Sequence, residues 1–463
     1  MNKLTRDDKL QMGICLGLSV FLSVVMYFFI IMTADSMILE SERFAAVAFS
    51  VIYLLSMIPL VLKRGFDPLT FLFGAAVTAC LIYVRVCLVY FMSGDFNSFL
   101  YNWVETLRPL SVGEALSQQL GDYNVPYMYI LLIISRTGVD VLTAIKAVSC
   151  VFDVLLAFFV MQCVSVRTKD QRVSLAAYLL TLAIPTVFLN GAWWAQCDAV
   201  FCAFCVGSLW AALRRNGRWS VILWSLAFAF KLQAIFVLPA VIIAFVAKRI
   251  KFRYAVWFPV VFVATLLPTL FAGRGFMDCI SIYFNQASQY PYLHMNAPTI
   301  WRLVGSVEFD NFNMLAIFLT GAAALLFMYL CITHRDGIGD RELVYIFYIS
   351  ALLLPYLLPR MHDRYFFVAD VLSLLLFFYD RNKWYVPVIT IIASYATYVA
   401  YGMNDSGLFD QTKLSIALLV VLVLCLKELF ESLRRCPATR TFDLSAFIGL
   451  GGDKDAADSE KSE

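Results

Sequence analysis

Residues 311–332 read NFNMLAIFLTGAAALLFMYLCI. The stretch contains no Asp, Glu, Lys or Arg, and its apolar residues follow one another without the alternation of a half-buried strand. About 20 consecutive apolar residues in helical form cross the hydrocarbon core of a bilayer. A backbone in lipid must satisfy its own hydrogen bonds, which only helices and closed barrels achieve. The stretch therefore predicts a transmembrane helix.

The rest of the chain repeats this pattern. Of its 463 residues, 61% are apolar and 15% are charged, against about 45–50% and about 25% in soluble domains. We predict an all-α, polytopic membrane helix bundle of about 13–14 transmembrane helices. It forms one domain over residues 1–435, and the polar tail over residues 436–463 is predicted to be cytoplasmic and disordered. The apolar runs lie at about 12–32, 44–62, 69–91, 140–164, 173–192, 199–213, 219–230, 232–247, 254–272, 311–332, 342–358, 365–379, 384–402 and 412–430.

Basic residues divide the loops into two sets. Cytoplasmic loops of membrane proteins are enriched in Lys and Arg, so the basic set and both termini are predicted to be cytoplasmic. The bacterial plasma membrane and the endoplasmic reticulum membrane both fit this reading. The basic set includes Lys63, Arg64, Arg167, Lys169, Arg172, Arg214, Arg215, Arg218, Lys248, Arg249, Lys251, Arg253, Arg335, Arg341, Arg381 and Lys383. The basic-poor, outer loops are about 33–43, 92–126, 193–198, 273–310, 359–364 and 403–411.

The apolar segment 125–134 is too short to cross a bilayer upright. If it did cross, every later loop would change sides and the charge bias would be inverted. We therefore place it at the outer interface or as a re-entrant stub. The large outer loop 92–139 then carries juxtamembrane helices.

Two acidic residues stand out in this outer loop, which contains SGDFNSFLYNW (93–103) and GDYNVPYMY (121–129). Asp95 follows the third apolar run, and Asp122 comes later beside Tyr123. Asp often caps helices or occupies turns. A structural role and a catalytic role are both open for Asp95 and Asp122 from spacing alone.

Polar groups also interrupt the apolar runs. Trp194, Gln196 and Asp198 lie in a very short outer loop, where Trp is a common interfacial anchor and Asp198 could cap the next helix. Lys231 interrupts the apolar stretch AFAFKLQAIF (227–236). An intramembrane Lys is a functional candidate because its burial is costly, although Lys can also extend to the interface.

Basic residues recur in two outer loops that should contain few of them. One loop contains Arg302, and the next, LPRMHDRYFF (358–367), contains Arg360, His362 and Arg364. Simple anchoring does not explain this cluster. Cations of this kind can bind phosphate, and Arg does so through paired hydrogen bonds.

Acidic, basic and aromatic groups on one face fit the transfer of a sugar from a lipid phosphate to an acceptor hydroxyl. One carboxylate removes the proton of the acceptor, cations balance the charge of the leaving phosphate, and aromatic rings such as that of Tyr123 stack on sugar faces. The phosphate is a weak base and leaves without a general acid. A single displacement would invert the anomeric carbon.

The order of these motifs resembles the multi-spanning GT-C glycosyltransferases, most of all the group related to the second GPI mannosyltransferase. The resemblance covers about residues 90–370 and rests on the acidic residue opening the large outer loop, followed by GDYNVPY (121–127), WWAQCD (193–198), FKLQ (230–233), NAPTIWRL (296–303) and RMHDRYFF (360–367). The family's MHERY pattern occurs here as MHDRY, so Asp363 keeps the charge. Its WGQ-like pattern occurs as WAQ, with Ala195 in the middle.

The resemblance implies a lipid-linked sugar donor on a polyprenyl or dolichyl phosphate, with mannose or another hexose as the sugar. The acceptor would be a glycolipid, a glycan or a protein, membrane lipids would surround the enzyme, and nucleic acid is not expected as a partner. It also assigns roles. Asp95 would be the catalytic base with Asp122 as a second acidic member; Arg302, Arg360 and Arg364 would bind the donor phosphate, supported by Lys231 and His362; Trp194, Gln196 and Asp198 would line the cavity.

Two questions stay open from the sequence. Asp95, Asp122 and the phosphate could share a divalent metal ion, although no ligand spacing requires one. The chain could instead be a transporter or flippase of a lipid-linked sugar or another anionic solute, since such proteins also use intramembrane charges and broken helices. Against this alternative, the chain has no evident repeat, and its polar groups gather on one side.

Overall fold

The apolar runs form helices throughout the described part of the chain. The computed structural model describes residues 13, 15–17, 19–25, 27–28, 40–62, 66–288, 292–304, 309–403 and 409–436. The tail segment 437–463 lies outside the described residues, as do Lys63 and Arg64 of the first basic loop.

Nineteen α-helices and two very short strands are the main elements of this described part, besides short 3₁₀ and π-helical segments. The helices are α1 (Cys15–Val25), α2 (Glu40–Leu62), α3 (Pro68–Leu88), α4 (Tyr101–Leu107), α5 (Val112–Ser117), α6 (Val125–Thr137), α7 (Val141–Arg167), α8 (Gln171–Ala183), α9 (Pro185–Phe188), α10 (Asp198–Leu213), α11 (Gly217–Phe230), α12 (Leu238–Val246), α13 (Trp257–Phe271), α14 (Phe276–Ser288), α15 (Phe309–Thr333), α16 (Asp340–Leu357), α17 (Phe367–Tyr379), α18 (Tyr385–Met403) and α19 (Gln411–Leu433). The strands are β1 (His294–Met295) and β2 (Met361–His362).

The chain is an all-α, multi-pass membrane protein, as predicted. By length and composition, 6 described helices can each cross a membrane, or up to 7 if the bent pair α8–α9 with its extension to Trp193 counts as one span. The other apolar helices are shorter, including α6, α10, α11 and α17. The predicted total of about 13–14 therefore includes helices that do not have spanning length by themselves.

Two apolar stretches of the chain are broken into shorter helices, and a proline causes the first break. The chain bends by 53° between α8 and α9, because Pro185 lacks an N–H and keeps Ile184 out of the helical conformation. Helix α11 ends at Lys231, whose backbone is extended, and a 3₁₀ segment (Leu232–Val237) then leads into α12. Broken helices at membrane depth usually line a cavity.

The helix directions place the two sets of loops at opposite ends of the bundle. Helix α10 runs from Asp198 to the basic loop at Arg214, and α16 runs from the basic loop at Arg341 toward Arg360. At the basic end, Arg341 contacts Asp380 at 2.5 Å and a neighbouring glutamate at 2.7 Å. The acidic and aromatic outer-loop motifs therefore share the other end.

The loop 92–139 folds into short helices: a π-helical turn (Phe96–Leu100), α4, α5 and α6. Their apolar faces pack together and against the beginning of α7. Helix α6 has 13 residues, or about 20 Å, against a hydrocarbon core of about 30 Å. Helix α6 is therefore too short to span the membrane by itself. Its location at the outer interface stays a prediction.

Candidate functional site

A cavity of about 470 Å³ lies at the end of the bundle where the outer-loop motifs meet. Residues from eight separate parts of the chain form its wall, so helix packing rather than chain proximity creates it. The predicted residues that line it are Asp95, Asp122, Tyr123, Trp194, Gln196, Lys231, His362 and Arg364.

The Asp95 carboxylate is held in place by side chains from two distant segments. Its Oδ2 accepts hydrogen bonds from Trp194 Nε1 at 3.1 Å and Gln196 Nε2 at 2.8 Å, and Arg364 Nη1 lies 3.4 Å away. The Asp95 side chain makes no capping hydrogen bond, so the structure does not support the cap alternative. Its side chain is 30% exposed, and the carboxylate is thus both oriented and open to the cavity.

The turn at Ala195 brings Trp194 and Gln196 to the same carboxylate. Ala195 has φ of 63°, the left-handed region that costs a non-glycine residue about 1–2 kcal/mol. Glycine, which has no Cβ, would adopt this conformation without that cost. Trp194 stacks on Tyr401 at 3.9 Å between ring centroids, and Gln196 Oε1 accepts a hydrogen bond from Tyr123 at 3.0 Å.

A buried carboxylate behind the cavity joins its two cations. Asp198 Oδ1 pairs with Lys231 Nζ, and Asp198 Oδ2 lies 3.6 Å from Arg364 Nε. Asn190 Nδ2 donates to the same Oδ2 at 2.7 Å. Lys231 is 8% exposed, so it does not extend to the interface. Asp198 begins α10, but its side chain serves these ion pairs, and Cys197 occupies the capping position.

The motif RMHDRYFF is fixed by a short parallel pairing. Strand β1 pairs with β2, so that His294 and His362 line the same cavity. Burial lowers the pKa of His362 to about 3 and that of His294 to about 4. Both imidazoles are therefore neutral near pH 7. His362 can contribute hydrogen bonds there but not the positive charge that phosphate binding would use.

Two predicted phosphate ligands lie outside the lining of this cavity. Arg302 Nη2 donates to Asn296 Oδ1 at 3.1 Å. The Arg360 backbone N–H donates to the carbonyl oxygens of Tyr292 and Leu293 at 3.2 and 3.1 Å. Of the three arginines expected to meet Asp95, only Arg364 contacts it within the described residues. Phosphate binding by Arg302 and Arg360 stays a prediction that this geometry does not favour.

Asp122 lines the same cavity at a turn set by the preceding glycine. Gly121 has φ of 80°, and a Cβ there would come within 2.3 Å of the Trp103 ring. The Asp122 carbonyl accepts a hydrogen bond from Gln286 of α14 at 2.5 Å, which ties the outer loop to that helix.

The sequence analysis missed several contributors to the site. Asn190 is a polar residue inside an apolar run, a signal that could have been followed. Tyr401 and Gln286 lie in helices whose composition does not distinguish them. Across the described ranges, no group of three or more His, Cys, Asp and Glu residues could hold a metal ion. The open question of a metal therefore gains no support from protein ligands alone.

Comparison of the chain with protein-family models and with curated proteins finds no match. The case for a function therefore rests on the cavity and its chemistry.

Proposed function

We propose that this protein is an inverting glycosyltransferase of the GT-C type. It would move a hexose, such as mannose, from a polyprenyl- or dolichyl-phosphate carrier to the hydroxyl of a glycolipid, glycan or protein. The observation that carries the proposal is one cavity in which the Asp95 carboxylate lies 3.4 Å from Arg364, with Lys231 in the same wall. A base and two cations in one cavity are what this displacement needs.

The two cations suit the donor phosphate. Asp198 neutralises one positive charge and holds Lys231 and Arg364 near each other. A bound phosphate could replace part of the contact of Asp198 with these cations. Lys231 and Arg364 would then still face a negative partner, so no buried cation would be left unpaired. The planar Arg364 head can form two parallel bonds to phosphate oxygens, while Lys231 acts as a point charge.

The oriented carboxylate suits the acceptor. In the described structure the contacts to Asp95 fall on Oδ2, so Oδ1 is the oxygen available to take the acceptor proton. The acceptor oxygen then bonds to the anomeric carbon as the carbon–phosphate oxygen bond breaks. The electron pair of that bond goes to the phosphate, where the cations stabilise the developing charge. One displacement inverts the anomeric configuration.

The cavity wall also suits a sugar. Aromatic rings of Trp103, Tyr123 and Tyr401 line it together with the polar groups described above. Its volume of about 470 Å³ lies within the range of about 300–1,000 Å³ typical of small-molecule sites. The lipid tail of the donor would lie outside this cavity, in the bilayer.

The charge distribution supports an orientation for this reaction. The basic loops that the structure describes lie at the end opposite the cavity, and basic loops are normally cytoplasmic. We therefore propose that transfer occurs on the outer face of a bacterial plasma membrane or the lumenal face of the endoplasmic reticulum. Both termini would be cytoplasmic.

A flippase or transporter of a lipid-linked sugar is the second candidate. The break between α11 and α12 at Lys231 favours it, because transporters place broken helices and charges at their substrate sites. The two functions differ in chemistry, since only the transferase breaks the bond between sugar and phosphate.

The test uses purified protein in liposomes with a panel of prenyl-phosphate sugars and simple glycoside acceptors. The transferase is expected to release free prenyl phosphate and to form a glycoside of inverted anomeric configuration, read by mass spectrometry and NMR. Movement of intact donor across the bilayer without release of prenyl phosphate would support the flippase instead. Retained configuration in the product would contradict the single displacement.

Donor binding is expected to depend on pH through the protonation of Asp363. Burial raises the pKa of this carboxyl to about 7, and Asp363 directly precedes Arg364. The carboxyl is neutral below that pH and negative above it. The negative carboxylate repels the donor phosphate. Donor affinity is therefore expected to fall by about tenfold, or about 1.4 kcal/mol, as the pH rises through 7.

The measurement is the donor Kd in detergent at about pH 6 and about pH 8, in wild type and in Asp363→Asn. The amide cannot ionise, so the variant should lose the pH dependence. His294 and His362 titrate well below this range and do not obscure it. Equal pH dependence in the two proteins would reject the assignment to Asp363.

A further inference from the structure

Resting on the proposed function, we infer that Lys146 is a positioning residue that sets the location of Asp95. Lys146 lies on α7 and its side chain is fully buried. Its Nζ donates to the backbone carbonyl oxygens of Leu88, Val89 and Phe91 at 3.2, 2.8 and 2.5 Å. A Lys ammonium has three donors, and all three are used.

Leu88 is the last residue of α3, and Val89 and Phe91 lie in the segment that leads from α3 to Asp95. The last carbonyls of a helix have no partner within the helix, and a cation at this end also interacts favourably with the helix dipole. Beyond them, Ser93 Oγ donates to the Trp194 carbonyl at 2.8 Å and accepts from the Phe96 N–H at 3.2 Å. The chain is thus held on both sides of Asp95.

The same face of α7 also holds the segment that binds Asp95. Ser149 lies three residues after Lys146 and therefore on the same side of the helix. Its Oγ donates to the Gln196 carbonyl at 2.7 Å, and Gln196 donates to Asp95. A Cβ at Gly191 would come within 2.9 Å of Ser149, so this segment packs closely on α7.

A buried ion pair joins α7 to α3 one to two turns further along. Arg85 Nε lies 2.9 Å from Asp153 Oδ2, both side chains have 0% exposure, and Arg85 also donates to the Leu182 carbonyl at 3.1 Å. Helix α7 therefore acts as a rigid platform. Lys146 places the base on this platform, and Ser149 places its hydrogen-bond partner.

The experiment compares Lys146→Met with Lys169→Met in full-length protein. Lys169 follows the opposite end of α7, so it is a matched control that leaves the α3 contacts unchanged. A displacement of a catalytic group by about 1 Å can cost about 10²-fold. Lys146→Met should therefore lower kcat by about 10²-fold while donor Kd changes less than about twofold, since Lys231 and Arg364 remain. Lys169→Met should behave like wild type.

Hydrogen–deuterium exchange gives a readout that does not depend on activity. Amides of residues 89–97 should exchange faster in Lys146→Met than in wild type or Lys169→Met. Unchanged exchange there in a folded Lys146→Met protein would overturn the inference, as would a loss of donor affinity equal to the loss of kcat. If wild type transfers no sugar, the proposed function fails, while the exchange result still decides whether Lys146 holds this segment.

Ser149→Ala provides a milder variant should Lys146→Met fail to fold. It removes one hydrogen bond and leaves the buried charge satisfied. Faster exchange around Gln196 with a reduced kcat and an unchanged donor Kd is expected. Wild-type exchange and wild-type kcat in Ser149→Ala would overturn the platform role of α7.

Discussion

Asp95→Asn is expected to abolish sugar transfer while leaving the protein folded. The amide has nearly the same shape as the carboxylate but cannot accept the acceptor proton, and a positioned general base contributes typically about 10²–10⁴-fold. We expect kcat to fall by about 10³-fold or more. Donor Kd should change little, because the cations Lys231 and Arg364 remain in the cavity. The measurement is the release of prenyl phosphate at saturating donor and acceptor.

Asp122→Asn is the matched control for this prediction. Asp122 lines the same cavity, so the substitution makes the same chemical change without affecting the carboxylate that Trp194 and Gln196 orient. A decrease in kcat of less than about tenfold is expected, which is smaller than the contribution of a general base. An active Asp95→Asn together with an inactive Asp122→Asn would transfer the base assignment to Asp122.

Arg364→Ala is expected to weaken donor binding by about 10²-fold. Arg364 contacts Asp95 at 3.4 Å and Asp198 at 3.6 Å and lies over the Trp194 ring at 5.6 Å. Without Arg364 the donor phosphate loses its paired hydrogen bonds, and losing one partner of a buried, hydrogen-bonded charge pair costs about 2–5 kcal/mol. The donor Kd, measured with a fluorescent prenyl-phosphate sugar, reports this loss directly.

Two further arginine variants test whether positive charge alone is sufficient for donor binding. Arg364→Lys keeps the charge but loses the planar pair of donors, so its donor affinity should lie between those of wild type and Arg364→Ala. Arg302→Ala removes an arginine outside the cavity lining, whose head donates to Asn296, and should leave the donor Kd within about twofold of wild type. A larger effect at Arg302 than at Arg364 would restore the original sequence prediction.

Helix content and the grouping of loops were predictable because they depend on local composition. An apolar run such as 311–332 must satisfy its backbone hydrogen bonds within itself when it lies in lipid, so its sequence predicts a helix. Asp95, Lys231 and Arg364 were recognised as candidates because a charge is rare beside or inside such runs. The break at Pro185 also follows from local chemistry, because proline cannot continue the preceding helix.

Which residues line the cavity was less predictable from the sequence. Arg302 and Arg364 both lie in outer loops and have the same side chain, but only Arg364 contacts the carboxylate in the described structure. Lys146 was not singled out, because its three partners are backbone carbonyls at and just beyond the end of α3. Backbone partners leave no residue pattern to detect.

The sequence by itself determined that lipid surrounds the chain and that the backbone is helical, since both follow from the length of the apolar runs. The distribution of charge along the chain indicated the end of the bundle where chemistry could occur. Tertiary structure alone decided which charges meet. Asp95, Asp198 and Arg364 are distant in sequence, and their ion pairs exist only because packing brings their helix ends within about 4 Å. Burial then sets the protonation of His362 and Asp363, and burial is a property of the assembled bundle.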